Sequence, residues 1–332
     1  MQERPRIRGQ QVLAGIQPSG VLHLGNYFGA LRQFIDLQDG NRAAYFMADL
    51  HSLTSIHDAK RRRELTQAAA LDFLAMGVDP KRSVLYRQSD FPEVTELAWI
   101  LTTVTPMGLL QRCVSYKEKL EQGLKPDHGL FAYPVLQAAD ILIWRADLVP
   151  VGQDQKQHLE VTRDVAVKFN LTYREVFKLP EPYILEETAV IPGTDGRKMS
   201  KTAGNGIEMF APDKQLKKQV MGIVTDSKGV DEPKEPDGST VFQLYALFAN
   251  PEERAAMAQA FRQGGLGYGD AKKALLDKVM AHFGPARARR RELESRPDTV
   301  EDILRDGAAR ARAATAELMD EVRSAAGLGP PR

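Results

Sequence analysis

The first half of the chain alternates short apolar runs with longer amphipathic stretches, and this alternation limits the possible folds more than any other feature. The apolar runs are residues 12–16, 43–48, 83–86 and 148–152. Stretches with helical spacing lie between them, such as residues 60–76, which end at Gly77. Strands that alternate with helices favour a parallel sheet covered on both faces. We therefore expect an α/β fold with a doubly wound parallel sheet, whose ligands bind beyond the carboxyl ends of the strands.

After about residue 205 the strand signal fades and helical spacing continues alone. The candidate helices cover residues 213–224, 240–249, 252–262, 271–283 and 300–326. We expect a larger domain over residues 1–204 and a smaller, all-helical domain over residues 205–297. The C-terminal helix, residues 298–327, is expected to pack back on the larger domain.

The composition is that of a soluble globular protein, with 43% hydrophobic and 27% charged residues among 332. Cys113 is the single cysteine, so an intrachain disulfide and a cysteine-based zinc site are excluded. We interpret it as a packed thiol and expect a reducing cytoplasmic environment. Residues 1–8 are polar and basic, and no apolar run reaches the length of a membrane span, which argues against secretion and membrane insertion. Because the net charge is only +1, a nucleic-acid partner has to be held by local basic patches.

The turn after the first apolar run combines glycines with two polar side chains. A Gly- and Pro-rich turn follows residues 12–16, and His23 and Asn26 stand at the beginning of the next helical stretch. Free backbone N–H groups and the helix dipole favour an anion at such a helix start, and glycines let it approach closely. The segment predicts a phosphate site. The alternative is an ordinary strand-to-helix turn with a solvated histidine.

An acidic residue stands inside the most apolar helical stretch of the chain. On a helix, Tyr133, Gln137 and Asp140 fall on one face. Asp140 is flanked by Ala, Ile and Leu, and a carboxylate in such surroundings is costly without a partner. Either it is held for a hydrogen-bond donor on a ligand, or it is paired with a structural arginine such as Arg145 or Arg163.

A polar cluster at residues 153–158 directly follows the apolar run at 148–152. The carboxyl end of a strand is a typical binding-site position in a parallel sheet. The alternative is a capped helix start with solvated side chains.

Lys198 and Lys201 stand three residues apart in a stretch rich in Ser, Thr and Gly. Such a loop is suited to close over phosphates, and its ammonium groups would stabilise the charge of a leaving pyrophosphate. Lys117 and Lys119, and the run at residues 287–291, offer further cations for phosphate or RNA. In each case the alternative is a solvated surface, and for the last run this alternative is slightly favoured.

Several motifs together resemble those of a known family. His23-Leu24-Gly25-Asn26 resembles the HIGH signature of class I aminoacyl-tRNA synthetases, and Lys198-Met199-Ser200-Lys201 resembles their second signature. The remaining matches are residues 15–20, 138–142, 149–158 and 224–227. In this order and spacing they make the chain similar to the bacterial tryptophanyl-tRNA synthetases over residues 12–327. The resemblance implies a Rossmann-like catalytic domain and a helical domain that binds the tRNA anticodon.

The resemblance also implies roles for individual residues. Catalysis is assigned to His23, Asn26, Lys119, Lys198 and Lys201. ATP is surrounded by Gln17, Pro18, Ser19, Gly25, Asn26, Gly152, Gln153, Asp154, Val190, Lys198, Met199, Ser200, Lys201 and Thr202. Tryptophan is bound by Asp140, Tyr133, Gln155, Gln137, Leu13, Gly15, His51, Val149 and Val151. Within this last set, Asp140 accepts the indole N–H, while Tyr133 and Gln155 hold the α-amino group.

The implied reaction has two steps. The tryptophan carboxylate attacks the α-phosphate of ATP, giving tryptophanyl-adenylate and pyrophosphate, and tryptophan then passes to the 3′-terminal adenosine of tRNA(Trp). ATP is a substrate, Mg²⁺ is bound through its phosphates, and no residue is assigned as a metal ligand. The implied partners are L-tryptophan, tRNA(Trp) and a second copy of the chain in a homodimer that meets through residues 85–145, with no membrane.

Some positions depart from the pattern of these families. Asn26 stands where the HIGH signature ends in His, as is usual among tryptophanyl enzymes, and Thr202 stands where Ser is commoner. Leu13 and Gln137 occupy positions often filled by Phe and Met. Gln137 adds a polar group beside the indole, which bears on affinity and inhibitor response more than on the reaction.

Three rival functions remain to be weighed. A tyrosyl-tRNA synthetase shares the fold and chemistry, but the motif around Asp140 and residues 154–158 argue against it. A small-acid adenylating enzyme such as a pantothenate synthetase is disfavoured by the helical segment after residue 205. A non-catalytic synthetase paralogue is disfavoured because both signatures are retained.

Overall fold

A single parallel sheet organises the first half of the protein. The computed structural model describes residues 7–113, 116–117, 127–152, 155–183, 191–201 and 203–329. Within them the strands are β1 (Gln11–Ile16), β2 (Arg42–Met47), β3 (Val84–Arg87), β4 (Leu148–Pro150) and β5 (Glu181–Tyr183). All neighbours pair in parallel in the order β3-β2-β1-β4-β5. The α/β, doubly wound, Rossmann-like class predicted from the sequence is confirmed.

The order of the strands reverses beside β1. The chain steps outward from β1 through β2 to β3, and then returns to the other side of β1 with β4 and β5. A crevice beyond the carboxyl ends of the strands forms at such a reversal, and ligands bind there in open α/β sheets. The polar residues that follow β1 and β4 therefore stand at the expected binding position.

Helices occupy most of the remaining chain. The first, α1, has three consecutive segments, Leu24–Asn26, Tyr27–Leu31 (π-helical) and Arg32–Leu37. The others in the described residues are α2 (Asp49–Ser52), α3 (Ala59–Met76), α4 (Glu93–Thr102), α5 (Met107–Gln111), α6 (His128–Leu142), α7 (Lys156–Thr172), α8 (Asp213–Met221), α9 (Thr240–Ala246), α10 (Pro251–Gln263), α11 (Tyr268–Glu294) and α12 (Pro297–Ala325). A short 3₁₀ turn, Gln88–Asp90, follows β3.

Local sequence explains where α3 begins and ends. The Asp58 carboxylate caps the helix by accepting hydrogen bonds from the backbone N–H groups of Lys60 and Arg61, at 2.8 and 3.0 Å. Gly77 ends it with a φ of +111°, in the left-handed region that favours glycine. The predicted boundaries at 60–76 are thus confirmed to within one residue.

The described residues form two compact units. The sheet unit comprises the described parts of Arg6–Ser19, Gln33–Leu185 and Arg296–Arg332. The signature unit comprises Gly20–Arg32 and the described part of Glu186–Ser295. The division into domains at residue 204 stays a prediction, since these units group residues 191–201 with the helices that follow them.

In the sheet unit, α12 lies directly against the edge strand β3. A side chain on Gly307 would collide with the carbonyl oxygen of Leu85, so only glycine permits this approach of backbone to backbone. Cys113 is buried in the core of this unit, and burial raises the pKa of its thiol, as expected for a packed residue. In the described part of the chain, none of the helices combines the length and apolarity that a membrane crossing requires.

Candidate active site

The carboxyl ends of β1 and β4 carry several of the predicted residues. Leu13 and Val149 are buried within these strands, at 1% and 4% exposure. Gly15 comes from β1 and lies against the ring of Phe46 in β2, where a Cβ would collide. Gln17 follows β1, and its side-chain amide donates to the Ser55 hydroxyl at 3.2 Å. Pro18 and Ser19 follow Gln17, and Val151 and Gly152 follow β4.

Asp140 on α6 is a fully buried carboxylate held by two side chains. His51 Nε2 lies 2.9 Å from Oδ2, and Gln88 Nε2 donates to both oxygens at 2.8 Å. Burial raises the pKa of Asp140, and the bonds from His51 and Gln88 act in the opposite direction. Gln88 also accepts a hydrogen bond from the backbone N–H of Leu50 at 3.2 Å. The ends of β2 and β3 thus together fix the orientation of this carboxylate.

The alternative reading of Asp140, as the partner of a structural arginine, is wrong. Arg145 pairs with Glu321 on α12 at 2.6 Å, and Arg163 pairs with Glu181 at 2.6 Å. The carboxylate is instead held by an imidazole and an amide, and a carboxylate oxygen can accept further bonds. The arrangement is that of a buried acceptor with a fixed direction.

Tyr133 and Gln155 are linked through a third side chain. The Tyr133 hydroxyl lies 2.7 Å from His158 Nε2, and His158 Nδ1 lies 3.1 Å from Gln155 Oε1. The Tyr133 ring also packs edge-on against the His51 ring, with centroids 6.2 Å apart. Gln137, one turn along α6 from Tyr133, is half-buried. Tyr133 and Gln155, two of the residues predicted to bind the amino acid, are thus connected through His158, and the Tyr133 ring packs against His51.

A cleft of about 410 Å³ opens beside these residues. It is lined by His51 and Tyr133 and by residues of α4 and α6, including Trp99, which is 71% exposed. The volume is within the range of small-molecule pockets.

The first signature lies in the signature unit and begins α1. His23 is 5% exposed, and its backbone N–H donates to Asn26 Oδ1 at 3.1 Å. The Gly25 N–H points at the Met199 sulfur, 3.3 Å away, so the two signatures are in contact. A Cβ on Gly25 would stand 3.1 Å from the His23 ring, which explains why the smallest residue occupies this position.

The pKa of the His23 imidazole is far from its ordinary value. Burial, followed by the positive charge of Lys201, lowers the pKa of its imidazole to about 4. The ring is therefore neutral at neutral pH and can donate a hydrogen bond without adding charge to an already cationic site. A Cβ on Gly20 would lie 3.2 Å from Cδ of Lys201, so this lysine side chain runs along the turn before His23.

The second signature is organised by Asn205. Its Oδ1 accepts from the Ser200 N–H at 2.9 Å, and its Nδ2 donates to the Lys198 carbonyl at 3.1 Å and to Asp195 Oδ1 at 2.7 Å. Asn205 is 3% exposed. The bonds from Asn205 and Arg197 lower the pKa of Asp195 to about 2. Lys198 itself is exposed, so the backbone is fixed while its ammonium group reaches outward.

A second cleft, of about 740 Å³, adjoins this loop within the signature unit. Its lining includes Thr194, Gly204, Gly206, Lys214 and Lys218. Both lysines come from α8 and are exposed.

Five of the predicted site residues cannot be placed in the structure. Lys119, Gln153, Asp154, Val190 and Thr202 lie outside the described part of the chain. The described residues contain no group of three His, Cys, Asp or Glu side chains that could hold a metal ion.

The basic run at 287–291 continues α11, which was predicted to end at residue 283. Arg287 is buried and donates to the carbonyls of Met209 and Ala211, at 2.6 and 2.7 Å. Arg290 pairs with Glu294 one turn along the helix. Arg290 thus matches the alternative of a helix turn paired with Glu294, whereas the buried Arg287 matches neither a solvated turn nor a contact with RNA.

Sequence reasoning missed three residues of the site. Gln88 stands two residues after the third apolar run, so its place at a strand end was a usable signal. His158 stood inside the quoted motif at 149–158 without an assigned role, and Asn205 lies four residues beyond the second signature. Their hydrogen-bond partners are brought close only by the fold, so local sequence does not identify them.

Comparison with known proteins identifies close relatives. A family model described as class I tRNA synthetases (W and Y) matches residues 8–284. The tryptophan–tRNA ligase of Fusobacterium nucleatum is 52% identical over 95% of this chain and 97% of its own length. That of Rhodopirellula baltica is 53% identical over 96% and 99%. The Campylobacter jejuni tryptophanyl-tRNA synthetase, solved with ADP and tryptophan, is 45% identical with a TM-score of 0.92, over 96% of this chain and all of that one.

Proposed function

The chain belongs to the class I tRNA synthetases for tryptophan and tyrosine, and we propose that it acts within that family as the ligase that joins tryptophan to its tRNA. The single observation that carries this choice of substrate is the buried Asp140 carboxylate, whose direction is fixed by His51 and Gln88. Such an acceptor suits a substrate with one N–H donor on an otherwise apolar ring.

Specificity follows from the cost of an unpaired buried acceptor. Tryptophan would satisfy Asp140 through its indole N–H. Phenylalanine would fill the same space and leave the carboxylate without its ligand bond, at a cost of roughly 1–3 kcal/mol or more. We assign the amino end of the substrate to Tyr133 and Gln155, and the ring contacts to Leu13, Gly15, Gln137, Val149 and Val151.

We assign ATP to the two signatures and the strand ends. The neutral His23 and Asn26 of the first signature, with Gln17 and Gly152, are proposed to surround the nucleotide. Residues assigned to ATP by the resemblance alone are Gln153, Asp154, Val190 and Thr202, and Lys119 is assigned to the phosphates in the same way. Mg²⁺ is proposed to enter with ATP, coordinated by phosphate oxygens.

The activation step requires positioning and charge stabilisation and no protein nucleophile. The tryptophan carboxylate oxygen forms a bond to the α-phosphorus, and the bond from that phosphorus to the bridging oxygen of pyrophosphate breaks. We assign to the ammonium groups of Lys198 and Lys201 the stabilisation of the charge that develops on the leaving group. In the second step the tRNA 3′-terminal hydroxyl displaces AMP from the adenylate carbonyl.

Partners are proposed on the same basis. The exposed lysines Lys214 and Lys218 beside the larger cleft support contact of the signature unit with tRNA phosphate. A homodimer that meets through residues 85–145 is proposed from the family resemblance, and Trp99 and Met107, at 71% and 62% exposure, are large apolar side chains within that range. The cytoplasm is proposed as the compartment, since charged tRNA is consumed there.

The proposal is tested by amino-acid-dependent exchange of pyrophosphate into ATP. Tryptophan and tyrosine are compared on the unmodified protein, on Asp140→Asn and on the control Asp164→Asn, which changes an exposed carboxylate of α7. Exchange with tryptophan alone, with a loss of at least about tenfold only in Asp140→Asn, is the expected result. Exchange with tyrosine would make the chain a tyrosine enzyme. A folded protein that exchanges neither amino acid would be a non-catalytic paralogue.

A further inference from the structure

His158 joins two pocket residues that reach it from different elements. It lies in the first turn of α7 and is 7% exposed. Its ring meets the Tyr133 hydroxyl of α6 on one side, at 2.7 Å, and Gln155 Oε1 on the other, at 3.1 Å. The ring also packs edge-on against the Tyr133 ring, with centroids 5.4 Å apart. One imidazole thus holds both groups that the proposed function assigns to the amino end of tryptophan.

The partners of His158 decide which ring nitrogen carries the proton. An amide oxygen can only accept, so Nδ1 of His158 must donate to Gln155 Oε1. In the neutral ring, Nε2 then has a lone pair and accepts the hydroxyl proton of Tyr133. Because Tyr133 has a single hydroxyl proton, its oxygen can meet any further partner only as an acceptor.

We propose that His158 is a positioning residue that sets this hydrogen-bond polarity, so that Tyr133 and Gln155 both offer acceptor oxygens to the α-ammonium group of the substrate. The inference rests on the proposed function, in which these two residues hold that group. With the opposite tautomer, the Tyr133 proton would be free to point at the ammonium group, and the Gln155 oxygen would lose the donor that orients it.

The position of His158 is itself well fixed. The Thr162 hydroxyl donates to the His158 backbone carbonyl at 2.9 Å, within the buried face of α7. Gln155 comes immediately before α7, so a single helix turn holds both the ring and one of its partners. The other partner, Tyr133, is held by its ring contacts with His51 and His158.

Two substitutions of His158 by an amide side chain each remove one of the two hydrogen bonds of the imidazole and keep the other. In His158→Asn the side-chain amide can replace the Nδ1 donor to Gln155 while the acceptor for Tyr133 is lost. In His158→Gln the longer amide can reach Tyr133 with its oxygen while the donor to Gln155 is lost. Both variants keep a polar side chain of similar bulk, and a thermal melt checks that each is folded.

The readout is equilibrium binding of three indole ligands to the full chain, measured by calorimetry. The ligands are tryptophan, tryptamine (which lacks the carboxylate) and indole-3-propionate (which lacks the amino group). We expect both variants to weaken tryptophan and tryptamine about tenfold and indole-3-propionate less than about twofold. Asp140→Asn is the matched control at the other end of the pocket and should weaken all three ligands alike.

Each outcome has a defined meaning. Loss confined to the two amino ligands supports the inference. Equal weakening of all three ligands, or no weakening at all, overturns it while leaving the proposed function intact. Failure of the unmodified protein to bind tryptophan overturns both. A rise in the KM for tryptophan, with the KM for ATP unchanged in pyrophosphate exchange, would agree with the first outcome.

Discussion

His51 Nε2 and Asp140 Oδ2 lie 2.9 Å apart, although 89 residues separate them in the chain. His51 belongs to the short helix α2 after β2, and Asp140 belongs to α6, so the contact exists only once the parallel sheet has formed. Gln88 completes the arrangement from the end of β3. The proposed recognition of a substrate N–H by Asp140 therefore depends on α6 meeting the residues that follow β2 and β3.

We predict that Gln88→Leu weakens tryptophan binding and moves its pH dependence. Gln88 lowers the pKa of Asp140 against the effect of burial, so its removal raises that pKa further. The carboxyl group then becomes protonated, and stops accepting, at a higher pH. We expect the KM for tryptophan to rise about tenfold and the acid limb of kcat/KM to shift to higher pH.

The control for this experiment is Gln137→Met. Gln137 lies on the same face of α6, and its replacement leaves the bonds from His51 and Gln88 to Asp140 in place. The acid limb of the pH profile of kcat/KM for Gln137→Met should coincide with that of the unmodified protein. An unmoved limb in Gln88→Leu would show that Gln88 has no influence on the carboxylate.

Asn205→Asp should damage the second signature through charge. The new carboxylate would face the Lys198 carbonyl and the Asp195 carboxylate, where the amide now donates two hydrogen bonds. We expect the rate of pyrophosphate exchange to fall by about 10- to 100-fold, with the KM for tryptophan unchanged. The measurement is steady-state exchange with each substrate varied in turn.

A reciprocal change provides the control. In the double variant with Asp195→Asn, the amide at position 195 can donate to the carboxylate at 205 and remove the repulsion between two carboxylates. Part of the pyrophosphate-exchange rate that Asn205→Asp loses should return in this double variant. If the double variant is as slow as or slower than Asn205→Asp, electrostatic repulsion does not explain the loss.

His23 should make the protein less stable in mild acid. Its pKa of about 4 lies below the ordinary 6.5, so between these values the unfolded chain binds a proton that the folded chain does not. By linkage the free energy of unfolding falls as the pH drops from 6.5 to 4, by roughly 1–3 kcal/mol, and His23 adds no further slope below that. His23→Gln should lose this part of the pH dependence in urea unfolding.

The decisive feature is how the difference in unfolding free energy between the two proteins depends on pH. The difference in unfolding free energy between the unmodified protein and His23→Gln should change between pH 6.5 and 4 and be flat above and below. A difference that is constant across the whole range would contradict a neutral, buried imidazole.

Gly307→Ala should destabilise the sheet unit by roughly 2–4 kcal/mol. The added methyl group would strike the carbonyl oxygen of Leu85, a backbone atom that moves only with its strand. Gly284→Ala, at an open position inside α11, is the matched control and should stabilise by up to about 1 kcal/mol. Thermal melts of both variants measure the contrast, and equal melting temperatures would count against the close contact.

The strands were predictable because each is an apolar run with clear limits. The runs at 12–16, 43–48 and 83–86 coincide with β1, β2 and β3 to within a residue at each end. β5 was missed because its sequence, Glu181-Pro182-Tyr183, contains no apolar run, unlike the equally short β4. The predicted helix at 271–283 was too short, since α11 continues through Pro285 and is held beyond it by the buried Arg287.

The assignment of residues to the site stays a prediction, and the contacts among the candidate residues could be predicted only in part. Helical spacing placed Tyr133 and Asp140 on one face because the period of a helix is fixed. The partners of Asp140 could not be found in this way, because arginines nearby in sequence were engaged elsewhere and the true partners came from distant strand ends. Asn205 fixes the backbone of the second signature by hydrogen bonds, but its residue type alone did not indicate this role.

The close contact between α12 and β3 also has a consequence for the order of events during synthesis. The ribosome completes β3 about two hundred residues before it reaches Gly307. Throughout that interval a sheet-edge strand has to wait without the helix that finally lies against it, and unprotected strand edges recruit unwanted pairing. The late synthesis of α12 thus leaves β3 dependent on other protection until residue 307 has emerged, and any product that is truncated before this helix would be released with the strand uncovered.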